Sequence, residues 1–421
     1  MEIKKAFGVR NVLRREWNPE NRIESFKLQL TILKFMGMWP PERGSRWQII
    51  TYKAYGWCIR IIFLYLFVLS QILFIYDEVD DLLGVAQAMF LLMTQVALVL
   101  KLAVFNLKIN RIQKCLRKVP CKLYDPKSNA ERRVIANCMT ITLGLGVFFM
   151  TVAYGTIVVW TITPIMKGDR ELPLPAWFPF DYKGSLAVYV MLCSYQIFSV
   201  IISASYNVST DTFVTGLMAH VHGQTERLGI LVSKLGYQSS GFGSLNAYCK
   251  NECDLCLDIS QKRKDIVTLS KLHGKLYGDL IELVIFHRDL LRFQQEIIDI
   301  FSLSIFTQVI ASVIIICMTA FLMAEETDLM GIFSAFTYLL TMVGQIFLYC
   351  LVGNKVSDSS DMLTERATFC NYTSFNQVTS KAFLFFLLSI EGVTPDFHSM
   401  KAPERLKKSK NSKRTHMHMK S

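Results

Sequence analysis

Charged side chains are scarce in this chain. Lys, Arg, Asp and Glu make up 19% of its 421 residues, whereas about 25% is usual in soluble domains. Hydrophobic residues reach 52% and are concentrated in long runs. This composition excludes an ordinary water-soluble globular protein. The runs predict a membrane protein, because a helix needs about 20 apolar residues to cross a bilayer.

Motifs of catalysis are also missing. The sequence contains no phosphate-binding glycine loop, no metalloprotease helix and no nucleophile elbow. The long apolar runs carry no acidic residue at their centres, where a transporter would place carboxylates or histidines. We therefore expect neither an enzyme nor a metal or other cofactor, and a transporter is a weaker alternative.

Positive charge is in excess, with a formal net charge of +12. The basic residues flank the apolar runs and do not alternate with aromatic residues, as a nucleic-acid-binding patch would require. Nucleic acid is therefore not an expected partner. The expected surroundings of the apolar runs are instead the lipid bilayer.

Six runs are long enough to span the membrane. Each is predicted to be a helix, because a helix satisfies all its backbone polar groups without water. The runs are residues 55–76, 82–105, 134–160, 185–206, 301–323 and 330–353, and the fourth is expected to continue as a helix toward Met218. The sequence therefore predicts an all-α, polytopic membrane bundle.

Lys and Arg are unequally divided between the two sets of loops. Segments 1–53, 107–133 and 218–299 hold 11, 9 and 10 of them. The alternate loops, 77–81, 161–183 and 324–329, hold 0, 3 and 0. Because cytosolic loops are enriched in Lys and Arg, this distribution predicts a cytosolic N-terminus. Arg60 and Lys101 lie near cytosolic ends of their spans and are predicted to extend their charged groups to the interface.

A seventh apolar segment, residues 382–390, is too short to span. Nine helical residues reach about 14 Å, whereas the hydrocarbon core is about 30 Å thick. Residues 401–421 hold eight Lys or Arg and a single acid, Glu404. We therefore predict six clear spans, a degenerate seventh segment, and a basic cytosolic tail that lies on anionic lipid.

Four stretches give the chain a resemblance to insect odorant receptors. They are LKFMGMWPPE (33–42), LPAWFPFD (174–181), HRDLLRFQQEIIDIFSLSIFTQV (287–309) and GQIFLYCLVGNKVSDSS (344–360). The resemblance implies a seven-helix receptor of the plasma membrane with its N-terminus inside. It also implies a hetero-tetramer with a shared co-receptor that opens as an odorant-gated, non-selective cation channel.

The resemblance covers residues 1 to about 367. Family members continue with a cytosolic helix and a pore-lining seventh span, and residues 369–410 do not match that pattern. This predicts a divergent or truncated C-terminus. The alternatives left open are a non-conducting truncated isoform, a gustatory receptor and a membrane transporter.

The family's odorant pocket lies within one subunit, in the outer half of the bundle, between spans two, three, four and six. Carried onto this sequence, that placement gives eight candidate ligand-binding residues: Val85, Met89, Phe149, Met150, Tyr154, Ile157, Tyr189 and Cys193. A small volatile ligand needs apolar and aromatic walls, with a hydroxyl to orient it. Tyr154 and Tyr189 are the candidates for that hydroxyl.

The regions outside the spans have separate expected roles. Residues 1–53 are a cytosolic segment with a short interfacial or buried helix, and loop 161–183 caps the bundle or gates ligand entry. Residues 218–300 repeat leucines at helical spacing, which predicts an assembly surface or packing within the subunit. The remaining domains are helices one to four (54–217), helices five and six with their extension (301–367), and the tail (368–421).

Overall fold

The computed structural model describes residues 21–41, 44–80, 82–167, 172–251, 259–325, 329–370 and 377–391. All regular secondary structure in these residues is helical, which confirms the all-α prediction. The predicted basic tail, residues 401–421, lies outside the described residues.

The helices follow one another in the order of the predicted runs. Two short helices, α1 (Asn21–Glu24) and α2 (Lys27–Phe35), precede the first span. That span consists of α3 (Arg46–Arg60), a π-helical turn (Ile61–Tyr65) and α4 (Leu66–Asp77). The others are α5 (Leu82–Lys118), a 3-10 turn (Lys122–Tyr124), α6 (Asn129–Lys167), α7 (Leu186–Asn251), α8 (Ile259–Glu325), α9 (Leu329–Thr368) and α10 (Gln377–Glu391).

Six helices among the described residues are long and apolar enough to cross a membrane, which confirms the predicted number. They contain large apolar side chains that point away from the protein, as a lipid-facing surface requires. Phe148, Phe198, Phe306 and Phe347 are examples, each more than half exposed. Helix α10 has only 15 residues, or about 22 Å at the α-helical rise, and is not one of the six.

Contacts divide the chain into two compact units. The first comprises Met1–Gln224 and Arg292–Lys355, and the second comprises Thr225–Leu291 and Val356–Ser421. The first unit contains most of the apolar runs. The loop between α6 and α7 is held to the bundle by two hydrogen bonds between the Leu174 backbone and the Gln196 side chain, at 3.1 and 3.0 Å, and Leu174 is buried in the core. This loop, which we call the capping loop, therefore packs onto the helices of the first unit.

The segment before the first span is also part of the first unit. Helix α2 ends at Phe35 and is followed by Gly37, whose positive φ of 71° allows Met38 N–H to reach the Leu33 carbonyl at 2.9 Å. Phe26 then packs edge-on to Phe213 of α7, with ring centroids 5.5 Å apart. The apolar face of this short helix is thus buried inside the bundle.

The second unit buries the leucines of the predicted amphipathic segment. Leu276, Leu280, Leu283 and Leu290 of α8 are all buried within this single chain, as packing inside the subunit requires. Helix α10 contributes to the same core, because the Phe386 ring lies 5.6 Å from His287 of α8. The apolar segment 382–390 therefore packs onto α8 within this unit.

Candidate functional site

The first unit contains a cavity of about 80 Å³ between four helices. This is several times the space of about 10–15 Å³ that one water molecule needs. The cavity is lined from α5, α6, α7 and α9, which carry predicted spans two, three, four and six. These are the four spans between which the family resemblance implies a pocket.

Each helix contributes one face to the cavity. On α6 the lining residues are Phe149, Ala153, Thr156, Ile157 and Trp160. Each has another lining residue three or four positions away, so they share one side of the helix. The same spacing relates the lining residues of α5, which are Leu91, Thr94, Gln95 and Leu98.

Two of the eight candidate ligand-binding residues line this cavity, namely Phe149 and Ile157. The other two α6 candidates, Met150 and Tyr154, are each one residue further along the helix than a lining residue and therefore lie on an adjacent face. Tyr154 is 37% exposed, and its hydroxyl is 2.7 Å from Ser205 Oγ of α7.

The remaining four candidates lie outside the cavity lining. Val85 and Met89 precede the lining residues of α5, and both are partly buried. Tyr189 and Cys193 are also partly buried, and Cys193 precedes the lining residue Val200 by about two helical turns.

Three aromatic side chains pack together beside the cavity, and two of them, Trp160 and Tyr338, line it. Phe90, Trp160 and Tyr338 form a cluster, with ring centroids 4.9 Å apart for Phe90–Tyr338 and 5.2 Å apart for Trp160–Tyr338. The Tyr338 hydroxyl is hydrogen-bonded to Thr94 Oγ1, which fixes its ring. We call these three residues the aromatic cluster.

A second, wider cavity of about 460 Å³ borders the aromatic cluster. Its walls include Phe90 of α5 and Leu174 of the loop before α7, and it shares Trp160 with the first cavity, which we call the inner cavity. We call this second space the vestibule. The aromatic cluster therefore contributes to the walls of both the vestibule and the inner cavity.

A network of buried polar side chains lies at the inner cavity's wall. Lys101 Nζ donates hydrogen bonds of 2.6 Å to both Asn207 Oδ1 and Asp211 Oδ1. Tyr349 donates to the same Asp211 oxygen at 2.8 Å, and Gln345 Nε2 donates to the other. These residues belong to α5, α7 and α9, so the network joins three of the four helices around the cavity.

This network corrects two sequence-based predictions. Lys101 does not extend to an interface, because its side chain is only 1% exposed and is ion-paired with Asp211. Arg60 is also buried, 3.2 Å from Met38 Sδ and 4.6 Å from the centre of the Trp57 ring. Both cations find partners inside the bundle, which the position of a charge along its own span cannot indicate.

Polar residues of α7 were missed because the fourth apolar run ends at Tyr206, before Asp211. The signal present in the sequence is the spacing of Ser203, Asn207 and Asp211, which repeats every four residues and places all three on one helix face.

Comparison with known proteins identifies the family. The family model described as 7tm Odorant receptor matches residues 81–391. The chain belongs to the odorant receptor family. This odorant receptor is 43% identical over 378 residues to Odorant receptor Or1 of Anopheles gambiae, a match that covers 90% of this chain and 89% of that protein. It is 23% identical over 350 residues to Odorant receptor 2a of Drosophila melanogaster, covering 80% and 79%.

Solved structures share the fold of this odorant receptor. The insect olfactory receptor OR5 from Machilis hrabei superimposes with a TM-score of 0.65 over 90% of this chain and 97% of that one, at 14% identity. The same protein in complex with eugenol gives the same TM-score. The chain is therefore a multi-pass membrane receptor rather than an enzyme. The family match also includes helix α10, beyond residue 367 where the sequence resemblance ended.

Proposed function

We propose that this odorant receptor binds small volatile ligands in the inner cavity and, together with a co-receptor, gates a non-selective cation channel. The inner cavity carries the proposal, since its aromatic and aliphatic walls suit a small apolar molecule. The related olfactory receptor OR5 was solved in complex with eugenol, which supports a small organic ligand for this fold.

The proposed binding residues are the eight candidates, and we assign them three different roles in ligand binding. Phe149 and Ile157 contact the ligand directly, because both line the cavity. Met150 and Tyr154 affect ligand binding indirectly, because they hold the lining face of α6 in position. The Tyr154 hydroxyl, for example, is hydrogen-bonded to Ser205 of the neighbouring helix. Val85, Met89, Tyr189 and Cys193 precede the cavity along α5 and α7, and we assign them to the ligand's path inward.

We further propose that the receptor lies in the plasma membrane with its N-terminus in the cytosol. The 11, 9 and 10 Lys or Arg residues of segments 1–53, 107–133 and 218–299 support this orientation. An epitope tag before Met1 is expected to stain only after cells are permeabilised. Staining of intact cells would contradict the orientation.

Assembly with the co-receptor is proposed to involve α8 of the second unit. Tyr277, Ile281 and Ile285 follow one another at four-residue steps, and each is more than a third exposed. We call these residues the exposed stripe. Exposed apolar side chains in a row are typical of a protein–protein contact. The predicted cytosolic segment 218–300 contains this stripe, so lipid is not its proposed partner.

The experiment that tests the proposed function is electrophysiology of cells that express this chain with a co-receptor. We expect odorant-evoked cation currents that neither chain gives alone. If a broad odorant panel evokes no current although both chains reach the surface, the channel function is wrong.

A further inference from the structure

Two polar atoms in the cavity wall have no hydrogen-bond partner among the described residues. They are Oε1 of Gln95 on α5 and Oγ of Ser203 on α7. Both residues line the inner cavity, and their exposed fractions are 2% and 5%. A buried polar atom without a partner is costly, and most such atoms in folded proteins are paired. A polar group bound in the cavity would satisfy both atoms.

Among the described serines of α7, Ser203 and Ser209 have a buried hydroxyl without a partner, and of these two only Ser203 lines the inner cavity. Ser199 Oγ donates to the Tyr195 carbonyl at 2.8 Å, and Ser205 Oγ donates to the Ile201 carbonyl at 2.6 Å. Both satisfy their hydroxyls on the backbone four residues earlier, as serines in apolar helices commonly do. Ser203 has no such bond, and its residue lines the cavity.

The polar residues further along the same wall are already engaged. Asn207 Oδ1 accepts a hydrogen bond from Lys101, and both carboxylate oxygens of Asp211 accept bonds from other side chains. They are less available to a ligand than Gln95 and Ser203. The cavity thus offers a free acceptor on α5 and a free hydroxyl on α7.

We propose that Gln95 and Ser203 form a subsite for the hydroxyl group of a small alcohol, and that they determine ligand specificity. The ligand hydroxyl donates to Gln95 Oε1, and its oxygen accepts from Ser203 Oγ. The apolar body of the ligand then lies against Phe149, Ile157 and Trp160. This inference rests on the proposed function, since it assigns a ligand class to the same cavity.

Matched ligands of similar size test the subsite. The probes are benzyl alcohol against ethylbenzene, 2-phenylethanol against propylbenzene, and hexan-1-ol against heptane. Each pair differs mainly in a hydroxyl replaced by a methyl group. Binding is measured on the purified full chain from the ligand-induced rise in melting temperature as a function of ligand concentration. Because the alcohol-to-hydrocarbon affinity ratio is compared between variants, differences in the ligands' solvation cancel.

The informative variants are Gln95→Met and Ser203→Ala, with Ser199→Ala as the matched control. Each of the first two removes one neutral hydrogen bond, worth about fivefold in affinity. We therefore expect each to lower the alcohol-to-hydrocarbon ratio about fivefold and to leave hydrocarbon binding nearly unchanged. Ser199→Ala keeps the wild-type ratio, since its hydroxyl is bonded to the backbone.

The outcomes separate this inference from the proposed function. If the alcohols bind and depend on Gln95 and Ser203 but evoke no current with a co-receptor, the subsite stands and the channel function fails. If other odorants evoke currents while the alcohols do not bind, or their ratio is unchanged in both variants, the subsite is wrong. If none of the six probes binds the purified chain, the inference is also wrong.

Discussion

Lys101 Nζ of α5 lies 2.6 Å from Asp211 Oδ1 of α7, and the two side chains are only 1% and 4% exposed. The pair is completed by Asn207 and Tyr349, which hydrogen-bond to Lys101 and Asp211 respectively. A buried ion pair has a large desolvation cost, which the additional hydrogen bonds help to offset. Removing one partner leaves an uncompensated charge inside the bundle.

We therefore expect Asp211→Ala to destabilise the receptor by about 3–5 kcal/mol and to reduce the amount at the cell surface. The matched control is Arg111→Ala, because Arg111 and Asp299 form an exposed pair at 3.9 Å with side chains 47% and 50% exposed. Such pairs contribute about 0–1 kcal/mol. Equal melting temperatures of the two variants in detergent would show that the buried pair does not hold α5 to α7.

The close approach of α2's end to the first span requires two glycines. A Cβ atom on Gly56 would overlap the Gly37 carbonyl group, and Gly56 is buried. We expect Gly56→Ala to lower the free energy of unfolding by at least about 1–3 kcal/mol, because the backbone has to shift to make room for the added methyl group. Gly144 has nothing within 4 Å of its added Cβ, so Gly144→Ala is expected to be neutral or stabilising. Melting temperatures of the purified variants distinguish these effects.

The aromatic cluster is expected to control exchange between the vestibule and the inner cavity. Trp160→Ala removes the side chain that both spaces share. Odorant responses should then decay faster after washout, and the half-maximal odorant concentration should rise about tenfold, for a loss of roughly 1.4 kcal/mol of ligand contact. Trp177→Ala in the capping loop should leave the decay unchanged. Unaltered decay in Trp160→Ala would mean that ligands enter by another route.

The exposed stripe of α8 is expected to bind the co-receptor. Ile281→Glu places a charge in the centre of the stripe and should lower the amount of co-receptor that is co-purified with this chain by about tenfold, because a buried unpaired charge is unfavourable. Glu282→Gln, at an exposed neighbouring position, is the control for a change of charge that leaves the stripe intact. Full recovery of co-receptor with Ile281→Glu would place the subunit contact elsewhere.

The length and composition of the apolar runs were sufficient to predict the six spans, since an apolar stretch of that length is typical of a transmembrane helix. The pairing of Lys101 with Asp211 was out of reach, because Asp211 follows the end of its apolar run and its partner is 110 residues away in the sequence. The direction of each side chain around its helix was a second feature that the sequence could not predict. Phe149 and Ile157 line the cavity whereas Met150 and Tyr154 do not, and only the packing of α6 against its neighbours decides which face turns inward.

The most direct test of the account is to fill the inner cavity and record odorant-evoked current in the presence of the co-receptor. Ala153 of α6 lines the cavity, and Val158 of the same helix is 55% exposed on its outer side. Ala153→Phe is expected to abolish or strongly weaken odorant responses at normal surface expression, whereas Val158→Phe keeps them. Undiminished responses in Ala153→Phe would contradict the claim that odorants bind in this cavity.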